Sequence, residues 1–120
     1  MAHILVVDDD LIYLDELANG LRAYGHKVET ASSGHEGLLL MGHSPFDLAI
    51  CDMIMTGGGA LSFLHEVRAK DADFPIVVIT GRRELATSPL FKQGMREASA
   101  KIQKDASVLE IDNLVRSLLM

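Results

Sequence analysis

Asp8, Asp9 and Asp10 stand directly after one apolar run, and Asp52 stands directly after another. Thr80 closes a third run, and Lys101 closes a fourth, weaker one. Carboxylates gathered in one place repel each other, so bringing them together is costly unless a cation compensates. Hard oxygen ligands with room for water suit magnesium, or manganese in its place. A divalent ion would also neutralise an incoming phosphoryl group, whose oxygens a threonine hydroxyl and a lysine ammonium could hold. Together these residue types suit phosphoryl transfer to a carboxylate.

Each residue taken alone has an ordinary reading. An aspartate after a strand is often a helix cap, and Asp52 could simply start a turn. Thr80 could cap a helix, and an isolated lysine is usually a solvated surface group. Their meaning depends on the elements that position them.

Five apolar runs alternate with amphipathic stretches. The continuous β-branched run His3 to Val7 predicts a strand buried on both faces. Leu11, Leu14, Leu17, Ala18 and Leu21 recur at helical spacing, predicting a helix from about Leu11 to Tyr24 with Gly25 as its stop. Lys27 to Ala31 reads as a second strand. The capping-box pattern Ser33-Gly-His-Glu36 opens a helix that Gly42 is expected to end. Phe46 to Cys51 reads as the third strand. After a glycine-rich loop, Gly57 to Gly59, a helix is expected from about Ala60 to Ala69. Pro75 introduces a fourth strand, Ile76 to Ile79, ended by Thr80.

Ser88-Pro89 fits a cap and a first helical position, so the fourth helix should be short or begin late. The fifth strand is placed at about Ala98 to Lys101. A second capping box, Ser107 to Glu110, starts a final helix with Val108, Ile111, Val115 and Leu118 on one face. The order is βα repeated five times, which predicts an α/β fold with a parallel sheet and helices on both faces. A doubly wound, flavodoxin-like arrangement in strand order 2-1-3-4-5 is expected, and its functional crevice lies beyond the carboxyl ends of the strands.

With 120 residues, the chain has the size of one domain, and residues 1–120 show no linker or repeat. The net charge of −6 and the lack of a basic stripe argue against direct nucleic acid binding. No run is long enough for a membrane span or suited to a signal peptide. A lone cysteine, Cys51, rules out an internal disulfide and is compatible with a cytoplasmic location.

Ile4 to Asp10, Asp47 to Asp52, Ile76 to Gly81, and Gly94 followed seven residues later by Lys101 resemble the response-regulator receiver domains of two-component signalling. The resemblance covers essentially the whole chain. It implies that Asp52 is the phospho-acceptor and that Asp8, Asp9, Asp52 and the backbone carbonyl of Ile54 hold the metal. It implies that Thr80 bonds the phosphoryl group and that Lys101 pairs with it. A sensor histidine kinase or histidine phosphotransfer protein would donate the group, and an unidentified protein target would read the result. Such a domain helps catalyse its own modification without being a turnover enzyme.

The sequence also departs from that family. After the acceptor, where the family usually reads Met-Pro followed by an Asp-Gly pair, the chain has Met55-Thr56 and then Gly57-Gly58-Gly59-Ala60, and Ile102 stands where proline commonly follows the lysine. A trans bond is expected there, since cis before a non-proline costs about 3 kcal/mol. Lys104 rivals Lys101; spacing from Gly94 and from Val108-Leu109 favours Lys101. With Lys101 in that role, the family's switching aromatic, three residues earlier, aligns with Ala98. Ile54 and Arg82 occupy positions that tune phosphoryl lifetime in the family. The alternatives are a degenerate receiver acting as a constitutive interaction module and, further off, a haloacid dehalogenase-type phosphohydrolase with Asp8 as nucleophile. A flavodoxin proper is disfavoured, because acids occupy the first loop where a phosphate needs donors.

Overall fold

The computed structural model describes residues 2–53, 55, 59–81, 89, 92 and 95–120. In chain order these form β1 (His3–Val7), α1 (Leu11–Ala23), β2 (Lys27–Ala31), α2 (Gly34–His43), β3 (Leu48–Asp52), α3 (Gly59–Lys70) and β4 (Ile76–Thr80). A single 3-10 turn (Met95–Glu97), β5 (Ala100–Gln103) and a C-terminal helix (Val108–Leu119) follow. The strands are all parallel, in the order β2-β1-β3-β4-β5. This is the flavodoxin-like arrangement expected from the alternation of runs. Of the helix expected around Pro89 only Pro89 and Lys92 are described, both helical, and the loop at Gly57 and Gly58, with Ile54, Arg82 and Gly94, lies outside the described residues.

Period-two alternation splits the central strands between two cores. Leu5, Val7, Ala49, Cys51, Ile76 and Val78 join Phe63 and Leu64 of α3 on one face. Ile4, Val6, Leu48, Ile50, Val77 and Ile79 join Leu14, Leu17 and Leu21 of α1 and Ile111 and Val115 of the C-terminal helix on the other. Apolar residues on both faces explain why the strands read as unbroken hydrophobic runs.

The helix ends follow local chemistry. Asp10 caps α1, with its side chain accepting from the Tyr13 amide at 3.2 Å. Gly25 follows the helix at φ 97°, a conformation that side chains resist. Ser33 accepts from the Glu36 amide, and Ser107 with Glu110 forms the full reciprocal box. α2 runs one residue past Gly42, to His43, because the backbone amide of Ser44 still reaches the Leu40 carbonyl at 3.1 Å. At Gly20, a Cβ would come within 2.7 Å of Val108, so the glycine lets α1 and the C-terminal helix approach closely.

β5 is shifted two residues from its expected place, and a specific contact sets it. The Ser99 amide donates to the Ile76 carbonyl at 2.8 Å, and the Ser99 hydroxyl accepts from the Ile76 amide at 3.0 Å. This double contact registers Ala100 against Val77 and Gln103 against Thr80. Arg68 of α3 braces the same corner by donating to the Glu97 carbonyl at 2.9 Å. No cis peptide occurs among the described residues, in line with Ile102 following Lys101.

At the amino ends of the strands, buried polar groups are fully matched. Asp112, 1% exposed, receives His26 Nε2 at 2.6 Å and Arg116 Nε at 2.9 Å. His26 Nδ1 accepts from the Ala2 amide at 3.2 Å, which fixes the ring proton on Nε2, facing Asp112.

Candidate functional site

The carboxyl ends of β1, β3 and β4 bring Asp8, Asp52 and Thr80 together, and Asp9 follows Asp8 into the first loop. One carboxylate oxygen from each of Asp8, Asp9 and Asp52 lies within 4.8 Å of the others. Asp8, Asp52 and Thr80 are buried, whereas Asp9 is exposed. The backbone holds these positions firmly. The Asp8 amide donates to Ala31 at 3.1 Å, and the Met53 amide after Asp52 donates to Ile79 at 2.8 Å. Asp10 caps α1 through Oδ1 and faces Lys104 through Oδ2, while its amide donates to Asp8 Oδ1 at 2.9 Å.

The lysine reaching this pocket is Lys104. Its ammonium lies 3.1 Å from Asp8 Oδ2 and 3.7 Å from Asp10 Oδ2, and its amide donates to the Thr80 carbonyl at 2.9 Å. Lys101, expected here, is not the lysine that the register of β5 brings against Asp8. Lys101 pairs with Val78, lower on the edge strand, and is exposed. Even-numbered residues of β5 turn inward and odd-numbered ones outward, and Lys104 continues the inward parity at the strand's end. With Lys104 in the family lysine's role, the residue three positions earlier would be Lys101, which like Ala98 is not aromatic. One signal in the sequence could have shown this: Ser99 can bond to the backbone and pin the strand later than the apolar pattern suggests.

The electrostatics are unbalanced. Burial, and then the charge of Asp8, push Asp52 up to about 6; Asp9 adds to this and Lys104 opposes it. Burial pulls Lys104 down, but Asp8, Asp52 and Asp10 outweigh it and hold the ammonium above the ordinary lysine range. The Cys51 thiol is pushed up by burial and by Asp52, so it stays a neutral, inert core group. Asp8 Oδ2 is buried, and its partner is the Lys104 ammonium at 3.1 Å, which it shares with Asp10. Carboxylates outnumber the ammonium in this pocket and repel one another, and a hard divalent cation would compensate that charge. The donor set of three carboxylates fits such an ion. The Ile54 carbonyl, expected as a further ligand, lies outside the described residues. A cleft of about 350 Å³ lined by Thr80, Gly81, Gln103, Lys104 and Asp105 opens beside the pocket.

Comparison with known proteins agrees with this geometry. The family model for the response regulator receiver domain matches residues 4–116. The transcriptional regulatory protein ZraR of Salmonella typhimurium is 35% identical over 85 residues, covering 71% of this chain and 19% of that protein. GlrR of Escherichia coli is 31% identical over 114 residues, covering 93% of this chain and 26% of that protein. The chain thus spans about a fifth of the first of these relatives. Among solved structures, the response regulator TrrA of Thermotoga maritima, in complex with Mg2+ and BeF, is 30% identical with a TM-score of 0.88. That match covers 99% of this chain and 100% of that one. With a fold, an acidic triad and a family match that coincide, the chain belongs to the response regulator receiver domain family, as a signalling domain rather than a turnover enzyme, with an acidic cluster that suits a divalent metal.

Proposed function

We propose that residues 1–120 form a single receiver unit in which Asp52 takes a phosphoryl group from a phosphohistidine on a sensor kinase or phosphotransfer protein. One observation carries this reading: three carboxylates converge within 4.8 Å, with the Lys104 ammonium against one of them. An Asp52 oxygen attacks phosphorus as the bond to the histidine nitrogen breaks, and the imidazole leaves. Asp8, Asp9, Asp52 and the Ile54 carbonyl would hold Mg2+. Bound there, the ion neutralises charge on the phosphoryl oxygens. Thr80 donates to one of those oxygens, and Lys104, in place of Lys101, pairs with another.

The Lys104 ammonium would exchange Asp8 Oδ2 for that phosphoryl oxygen, leaving the Asp8 carboxylate to hold the ion. The modified acid then biases an equilibrium between two surface states, one of which a protein target recognises. Intact mass after incubation with acetyl phosphate and Mg2+ tests the assignment. One phosphoryl group mapped to Asp52, and absent in Asp52→Asn, is the expected result. Labelling elsewhere would refute the assignment, and none in the parent protein would favour a passive interaction module.

A further inference from the structure

Tyr13, in the first turn of α1, touches the pocket in a way that the acceptor chemistry does not explain. The Lys104 ammonium stands 4.6 Å from the centre of its ring. The same ammonium pairs with Asp8 at 3.1 Å and Asp10 at 3.7 Å. Two carboxylates and an aromatic face therefore fix one flexible side chain. The Tyr13 amide also donates to Asp10 Oδ1 at 3.2 Å, so a single helical turn sets both the ring and the second acid.

The far end of the ring is unusual. The Tyr13 hydroxyl is buried and has no hydrogen-bond partner. Buried hydroxyls normally find one, and an orphan points to a missing ligand or water. Burial, with the charges of Asp8 and Asp52, pushes this hydroxyl up to about 12, so it remains a donor in a field of carboxylates.

We propose that Tyr13 is a positioning residue of the phosphoryl-transfer site, whose ring face holds Lys104 over the acidic pocket and whose hydroxyl finds its acceptor in an oxygen held there when the pocket fills. The inference rests on the assignment of Lys104 made above. It separates two functions within one side chain: the ring acts through Lys104, and the hydroxyl acts through the bound oxygen.

The test uses Tyr13→Leu and Tyr13→Phe, each alone and combined with Lys104→Ala. Affinity for Mg2+ alone and for beryllofluoride at saturating Mg2+ is read by calorimetry, with metal-free thermal unfolding as a check on folding. Tyr13→Leu should weaken beryllofluoride binding about fivefold, and that loss should vanish in the Lys104→Ala background. Tyr13→Phe should restore the ring-dependent part while weakening Mg2+ binding about threefold. A Tyr13→Leu loss that persists undiminished without Lys104, or no loss at all, overturns the ring's role. Unchanged Mg2+ affinity in Tyr13→Phe overturns the hydroxyl's. Beryllofluoride affinity untouched by Lys104→Ala alone would instead sink the Lys104 assignment itself. Should Tyr13→Leu fail to fold, Tyr13→Met carries the same comparison.

Discussion

Asp8 and Asp112 are almost equally buried, at 2% and 1% exposure, at opposite ends of the sheet. Asp112 has both oxygens engaged, by His26 at 2.6 Å and Arg116 at 2.9 Å. Asp8 gives one oxygen to a backbone amide and leaves the other to an ammonium that it shares with Asp10. At the amino end, charge and hydrogen bonding are satisfied, so that end joins β2 to the C-terminal helix and asks for nothing more. At the carboxyl end, Lys104 pairs with both Asp8 and Asp10 and feels the charge of Asp52, while Asp9 adds a further carboxylate to the cluster. Burial alone therefore does not mark a functional acid. An unbalanced set of buried acids does, because its cost to folding is recovered only by a ligand.

Breaking the matched end should have the largest effect. Asp112→Ala strands the buried His26 donor and should cost about 3 kcal/mol in urea unfolding, while Mg2+ affinity per folded molecule stays unchanged. Equal loss at both ends would erase the distinction between them.

Filling the unmatched end should stabilise it. Mg2+ at about 100 times its dissociation constant should add about 2.7 kcal/mol. That gain should shrink as pH falls through about 6, where Asp52 takes up a proton. A metal effect independent of pH between 5 and 8 would contradict the role given to Asp52.

Removing the acceptor charge should help the metal-free protein. The folded-state pKa of Asp52 is raised from 3.8 to about 6, so the folded form binds the proton more tightly than the unfolded chain. The ionised carboxylate's penalty is absent below pH 4, grows as pH rises through about 6, and is complete above it. Asp52→Asn should therefore stabilise the metal-free protein by about 2 kcal/mol at pH 7.5, and by almost nothing at pH 3.5. The same variant should accept no phosphoryl group from acetyl phosphate.

The smallest effect separates the two lysines. Lys101→Ala, on the exposed edge of β5, should change stability by less than about 0.5 kcal/mol and leave beryllofluoride affinity intact. Lys104→Ala should weaken that affinity about tenfold, as loss of a charge-assisted hydrogen bond does. The reverse result would return the pocket to Lys101.

Most of the architecture was legible in the residues themselves. Runs such as Ile4 to Val7 and Ile76 to Ile79 are apolar at every position, which only a strand covered on both faces needs. Asp10, Ser33 and Ser107 announce helix starts through local bonds that depend on few residues. Asp8, Asp9, Asp52 and Thr80 were found because each sits at the end of such a run, and parallel strands place their ends together. Their convergence needed only the strand order.

Neither the lysine nor Tyr13 could be read in that way. β5 is a short edge strand of four residues whose inward positions are Ala100 and Ile102, too weak a pattern to set its register. Ser99, Arg68 and the Thr80 carbonyl set it instead, through contacts between residues far apart in the chain. A shift of two residues moved the ammonium from one lysine to another, and only packing could decide it. Tyr13 looked like an ordinary helix residue until the fold laid Lys104 across its ring. Local chemistry written along the chain determined the strands, the caps and the acids; which cation meets them depended on tertiary contacts, because register is a property of pairs of segments and not of either one.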